Sequence, residues 1–157
     1  MFVVDTNILI HAANEDAPEH VRCRSRLDEW RSLAGAWYLT WGICHEFLRV
    51  TTHPRVMERP LSAAQAWSFL QSVLASPAVS LLVPTQRHAA VVTELIDRVP
   101  ELRGNLMHDA TTVALMREHG IRRIYTRDTD FHRFPDIEPI DPLRENMDPR
   151  LREDDEV

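Results

Sequence analysis

Four carboxylates stand out because of what precedes them. Asp5 follows the apolar run of residues 2–4, and Glu46 falls just after the β-branched and aromatic run at 37–40. Asp128 follows residues 123–125 across Thr126 and Arg127, and Asp109 opens the helical pattern that leads into that last run. Side chains that follow strands converge in an open parallel sheet, because the crevice of such a sheet lies outside the carboxyl ends of its strands. Two carboxylates about 5 Å apart repel by roughly 3 kcal/mol at an effective dielectric near 20. A cluster of four therefore demands a cation or raised pKa values. With no Cys or paired His among the donors, an all-oxygen site selects hard ions, so Mg²⁺ or Mn²⁺ is expected rather than zinc or copper. Such an ion lowers the pKa of a bound water and screens charge growing on a scissile phosphate, giving products with 5′-phosphate and 3′-hydroxyl ends.

Each acid also has a structural explanation. Asp5 can cap the helix that follows it, Asp109 can sit in a first helical turn, and Asp128 or Asp130 can form an Asx-turn, all without catalytic purpose. Glu46 resists this explanation, since it lies in the apolar segment WGICHEFLRV, where a core-facing helix does not ordinarily carry an unpaired charge.

The elements that must position these residues alternate along the chain. Short β-branched or aromatic runs predict strands at 2–4, 37–40, 79–83, 123–125 and, more weakly, 138–140. Apolar residues at helical spacing predict helices at 8–14, 18–33, 42–52, 63–76, 85–99 and 108–119. Pro18, Ser62 and Thr85 are start signals, and Gly120 is a stop. Strands separated by helices require crossover connections, which predicts a three-layer α/β/α domain around a mostly parallel sheet. That domain is expected to span residues 1–142, with a charged, flexible tail over 143–157.

The length of 157 residues and an apolar fraction of 44% suit one domain with a real core. No basic leader and no uninterrupted apolar run long enough for a bilayer is visible, so a cytoplasmic protein is expected. Cys23 and Cys44 lie far apart without a partner motif and read as plain thiols. The net charge of −6 argues against nucleic acid at first sight. Half of it, however, sits in the tail from Arg144, where three Arg face six acids, and metal masking of the cluster brings the body near neutrality. All 18 basic residues are Arg, the side chain whose planar fork matches phosphate.

The segments VVDTNILI, HEFLRVTTHPRV, the HDA at His108–Ala110 and TRDTDF, in this order and over nearly the whole chain to about Ile140, resemble the PIN-domain family, specifically the VapC toxins of bacterial toxin–antitoxin pairs. The resemblance implies a PIN-like fold in which Asp5, Glu46, Asp109 and Asp128 bind the metal, Asn7 and Thr126 support the first and fourth acids, and Asp130 reaches the metal through water or holds its loop. It further implies an endoribonuclease that cuts structured RNA such as transfer or ribosomal RNA, forms a homodimer and is silenced by a cognate VapB-type antitoxin. By analogy the helices at 8–14 and 18–33 form the antitoxin groove; their Arg22, Arg24, Arg26 and Arg31 fit that role or a solvated helix face equally well.

Rival readings are weaker on residues. A haloacid-dehalogenase-like phosphatase or a response-regulator receiver resembles families that use a lysine, which this chain lacks, and Asp5-Thr6-Asn7 lacks the phosphatases' second Asp. An inert RNA- or protein-binding module is the alternative from another class, and a PIN nuclease outside toxin–antitoxin systems is a third. The histidines show no HExxH spacing and read as surface or packing residues. Trp30, Trp37, Trp41 and Trp67 are expected in the core or at a dimer contact. The segment SAAQAWSFLQSVLAS reads as a packing helix.

Overall fold

The computed structural model describes residues 1–144. Five strands form one parallel sheet in the order β3-β2-β1-β4-β5: β1 (Val3–Val4), β2 (Trp37–Thr40), β3 (Val79–Leu82), β4 (Arg123–Tyr125) and β5 (Glu138–Ile140). All four pairings are parallel, with Val3 opposite both Tyr38 and Ile124. The helices are α1 (Thr6–Ala13), α2 (His20–Arg31), α3 (Trp41–Thr51), α4 (Ala63–Leu74), α5 (His88–Arg98) and α6 (Asn105–Glu118). The chain runs from β1 outward to β3, then crosses back over β1 to β4. Right-handed crossovers put α1 to α4 on one face and α5 and α6 on the other. The expected three-layer architecture is the one observed, and its direction of winding reverses between β1 and β4, where a functional crevice belongs.

The sheet holds its place by burial. Val3, Val4, Trp37, Leu39 and Ile124 are fully enclosed, each such side chain contributing roughly 1.5–3 kcal/mol. Phe2, Trp30, Trp37 and Tyr125 form an aromatic cluster with centroids 4.6–6.3 Å apart. The buried Trp37 indole donates to the Trp30 carbonyl at 3.0 Å, so its polar atom is not stranded. Trp30 and Trp37 take the core position expected of them, and Trp41 and Trp67 do not. They are 42% and 39% exposed, because each sits on the outer side of its helix.

Helix boundaries follow local chemistry. Ser62 and Gln65 form a reciprocal capping box at α4. Gly120, at φ 68°, ends α6 in a Schellman arrangement, Ile121 N donating to Met116 O at 2.9 Å and Gly120 N to Arg117 O at 3.3 Å. Thr85 does not start α5. Its N–H and hydroxyl both go to Glu118 at 2.6 and 2.7 Å, which delays α5 to His88. The turn at Thr129–Arg133, a single 3₁₀ segment, was not expected from periodicity. Pro139 within β5 fits an edge strand, where a missing N–H costs least.

Both cysteines are buried free thiols, and burial pushes each up to about 11. Among the described residues no helix is long and apolar enough to cross a membrane. The flexible tail was expected to begin at residue 143. Instead Leu143 lies against the core, the Asp141 carboxylate accepts from Leu143 N at 2.9 Å, and Arg22 donates to the Leu143 carbonyl. The rest of the expected tail, 145–157, lies outside the described residues.

Candidate metal centre

β1 delivers Asp5 to the sheet's carboxyl edge, where it caps α1, Oδ1 accepting from Thr6 N at 2.7 Å. Its Oδ2 accepts from Asn7 Nδ2 and Thr126 Oγ1, both at 2.6 Å. Three of the roughly four acceptor positions of a carboxylate are thus taken, which fixes the group and leaves a position on Oδ1. The capping explanation therefore holds for Asp5, and it coexists with a site.

Thr126 is the hub across the β1–β4 switch point. Besides donating to Asp5, its hydroxyl accepts from Asn7 Nδ2 at 3.0 Å and from Asp128 N at 2.9 Å. Asp128 Oδ1 in turn accepts from Asp130 N at 2.8 Å, so the Asx-turn also exists and starts the 3₁₀ segment. Arg127, between Thr126 and Asp128, points away. It donates to Glu19 at 2.7 Å and lies 3.8 Å from Asp141, while its N–H donates to Asn7 Oδ1 at 3.2 Å.

Asp109 arrives from the opposite face. It stands in the second turn of α6 rather than at the helix opening, because α6 starts three residues before His108, at Asn105, behind Gly104 at φ 56°. One carboxylate oxygen from each of Asp109, Asp128 and Asp130 lies within 4.8 Å of the others. The uncertain Asp130 therefore joins the cluster, with Arg133 at 3.4 Å on its outer side.

Glu46 stands slightly apart. Its Oε2 accepts from Thr6 Oγ1 at 2.9 Å and lies 3.1 Å from His108 Nε2, while Oε1 is 3.5 Å from Arg49 Nη2. Its charge in an apolar segment is thus paired, and Thr6 and His108 are functional neighbours that spacing alone did not single out. Thr6 carried a signal in lying between Asp5 and Asn7; His108 carried only its adjacency to Asp109.

The electrostatics match a site built for a cation. Burial pushes Asp5 up to about 6, against the hydrogen bonds from Thr126 and Thr6 and with added repulsion from Glu46 and Asp128. Burial, then Asp5 and Asp128, pushes Asp109 up to about 7. Glu46 goes the other way: His108 beside it holds it below the usual carboxylate range, and Glu46 raises His108 in return. Acids held above their ordinary values by burial and by one another are acids that a positive ion would stabilise. The donor set is oxygen only and fits a hard divalent ion.

The arginines of α2 have partners: Arg24 and Asp28 at 3.3 Å, Arg26 and Glu29 at 3.0 Å, and Arg31 donating to the Ser72 carbonyl at 3.0 Å. Together with Arg22 on Leu143, they form a paired helix face.

The PIN-domain family model matches residues 2–137. Among curated proteins, the chain is 33% identical to Ribonuclease VapC48 of Mycobacterium tuberculosis over 139 residues, covering 88% of this chain and 95% of that one. It is 33% identical to Ribonuclease VapC33 of the same species over 148 residues, covering 92% and 100%. Among solved structures, the sarcin-ricin loop cleaving toxin VapC20 of Mycobacterium tuberculosis superposes with a TM-score of 0.61 at 22% identity, over 84% of this chain and 93% of that one. VapBC2 of Rickettsia felis, solved bound to a DNA fragment from its promoter, gives 0.64 at 14% identity over 88% and 96%. The structural matches share the fold; the family model and the curated relatives, over nearly their full length, settle descent: this chain belongs to the PIN-domain family.

Proposed function

We propose that the protein is an Mg²⁺- or Mn²⁺-dependent endoribonuclease and the toxin of a toxin–antitoxin pair. The observation that carries this reading is the meeting of Asp109, Asp128 and Asp130 within 4.8 Å beside the buried, hydrogen-bonded Asp5. Asp5, Glu46, Asp109 and Asp128 would hold the metal, with Asp130 at the same opening. When bound, the divalent ion supplies positive charge to the scissile phosphate and acidifies water for attack.

The chain's own groups do the positioning. Thr126 and Asn7 lock the Asp5 carboxylate from one side, so its remaining lone pair has one direction to offer. Thr126 also pins the N–H of Asp128, so a single hydroxyl sets the relation between acids on β1 and after β4. Thr6 ties Glu46 to the same turn. Arg49, 66% exposed at its side chain, stands at the rim as a donor for a phosphate oxygen.

The curated relatives bear the name ribonuclease, which supports RNA as substrate, and a structured transfer or ribosomal RNA is the class proposed. The VapBC2 neighbour supports a VapB-type antitoxin as partner. A homodimer and a cytoplasmic location complete the proposal.

The test is cleavage of total RNA by the purified chain with Mg²⁺ or Mn²⁺, with EDTA, and as the Asp5→Asn and Asp109→Asn variants. Cutting that requires metal and fails in both variants supports the reading. Cutting that survives EDTA or either variant, or none across a broad set of structured RNAs, refutes it.

A further inference from the structure

Two stripes of α3 meet at the metal centre. Gly42 and Glu46 face α6, where a Cβ on Gly42 would lie 3.7 Å from His108 Cε1 and Glu46 Oε2 lies 3.1 Å from His108 Nε2. The neighbouring stripe is Trp41 and His45, one helical turn apart, with rings stacked at a centroid distance of 5.7 Å and an interplanar angle of 27°. Both are exposed, Trp41 at 42%, whereas Trp30 and Trp37 are 3% and 0% exposed. Thr40, whose hydroxyl accepts from Ile43 N at 3.1 Å, fixes the start of α3, so Trp41 stands at the carboxyl edge of β2, next to the strand that delivers Asp5.

Resting on the ribonuclease reading above, we propose that the Trp41–His45 pair is the platform for an unpaired RNA base one or two nucleotides from the cut, with Arg49 taking the phosphate between. The spacing is compatible with this: Trp41 precedes Glu46 by five positions, an axial rise of about 7.5 Å with the two side chains roughly 140° apart around the helix, a gap that a short unstacked stretch of strand can bridge. The charge balance calls for it. With a net charge of −6, and a body that is only near neutral once the cluster holds its ion, the chain gains little from long-range attraction to phosphate, so a contact independent of charge is needed for affinity. Stacking does so and accepts any base. A base within a duplex hides its faces, which assigns the platform to a loop, bulge or single strand. The stripe formed by Trp41, His45 and Arg49 offers indole, imidazole and guanidinium and no aliphatic side chain, which fits a nucleotide better than a protein helix.

The experiment compares binding of hexauridylate with that of the same ribose-phosphate hexamer lacking all its bases, in Mn²⁺, by chains carrying Asp109→Asn so that RNA is held without being cut. Backbone charge is identical in the two probes, so their affinity ratio reads base contacts alone. With Trp41 present the ratio is expected to be roughly tenfold or more, to fall to near one in Trp41→Ala, and to be largely kept in Trp41→Phe. Hexauridylate should also quench tryptophan fluorescence less in Trp41→Phe than in its parent. A ratio near one with Trp41 present, or a ratio that survives Trp41→Ala, overturns the proposal. So does a Trp41→Ala chain that changes its sedimentation while keeping the base preference, since the surface then belongs to a second copy. Cleavage by the wild-type chain is read separately and tests the nuclease reading alone.

Discussion

Replacing Asp109 by Asn should make the metal-free protein more stable while removing its activity. Burial and the neighbouring Asp5 and Asp128 raise Asp109 from 3.8 to about 7. An acid raised on folding favours the folded state only while protonated. That advantage is whole below about pH 4 and is lost as pH rises to about 7, beyond which the ionised carboxylate carries its full cost. At 1.36 kcal/mol per unit the shift converts to about 4 kcal/mol. The group is only partly buried, and solvent screening roughly halves that, leaving ~2 kcal/mol. The causes that shift Asp109 are burial and nearby charge, with no hydrogen bond to its carboxylate among them, so an amide of the same shape removes charge and little else. Urea unfolding in EDTA should therefore show Asp109→Asn more stable than wild type by about 2 kcal/mol at pH 8, a rise in Tm of roughly 4–8 °C, and by under about 1 kcal/mol at pH 5. Adding Mn²⁺ should reverse the order at pH 8, because the wild type alone gains the full binding energy. If the variant is equally or less stable than wild type in EDTA at pH 8, or if its advantage does not shrink at pH 5, the account of Asp109 as a carboxylate destabilised by burial and by its neighbours is wrong.

Thr126→Val removes the hydroxyl that serves Asp5, Asn7 and Asp128 together; Mn²⁺ affinity by calorimetry should fall about 10–100-fold, and stability by ~1–3 kcal/mol. Gly104→Ala places a Cβ at φ 56°, ψ −129°; a loss of roughly 1–3 kcal/mol in chemical denaturation is expected, with weakened metal binding because α6 carries Asp109. Ser62→Ala removes half of the α4 capping box and should cost about 1 kcal/mol while RNA cleavage is unchanged, which checks that stability and site can be separated.

Periodicity and turn chemistry made the strands and helices legible, because alternating short and long apolar runs have few packing solutions. The convergence of the acids was legible only through the parallel sheet: nothing local to Asp5 says that Thr126 will stand 2.6 Å away. Errors arose where side chains compete with backbone. Thr85 looked like a helix start and is a ligand of Glu118; Asp109 looked like a first-turn residue because the weak pattern at Asn105-Leu106-Met107 hid the first turn of α6. Trp30 and Trp37 are in the core as expected, whereas residue type alone could not place Trp41 and Trp67, since composition gives the residue and only the helix phase gives its exposure. Glu46 was correctly seen as needing a partner, but the partner, His108, lies 62 positions away and is set by the packing of α3 on α6.

The pairing of β1 with β4 also bears on how the protein is made. Asp5 leaves the ribosome first, yet the hydroxyl that orients it belongs to Thr126, and Asp109 and Asp128 come nearly as late. A nascent chain that has exposed only its first hundred residues holds two of the four acids, Asp5 and Glu46, and a β1 paired with β2 alone, with no β4 to close the switch point. Competence therefore appears only after β4 (Arg123–Tyr125) has been made, when that strand docks on β1. A message truncated before that strand encodes a polypeptide that cannot assemble the centre, whatever else of it folds.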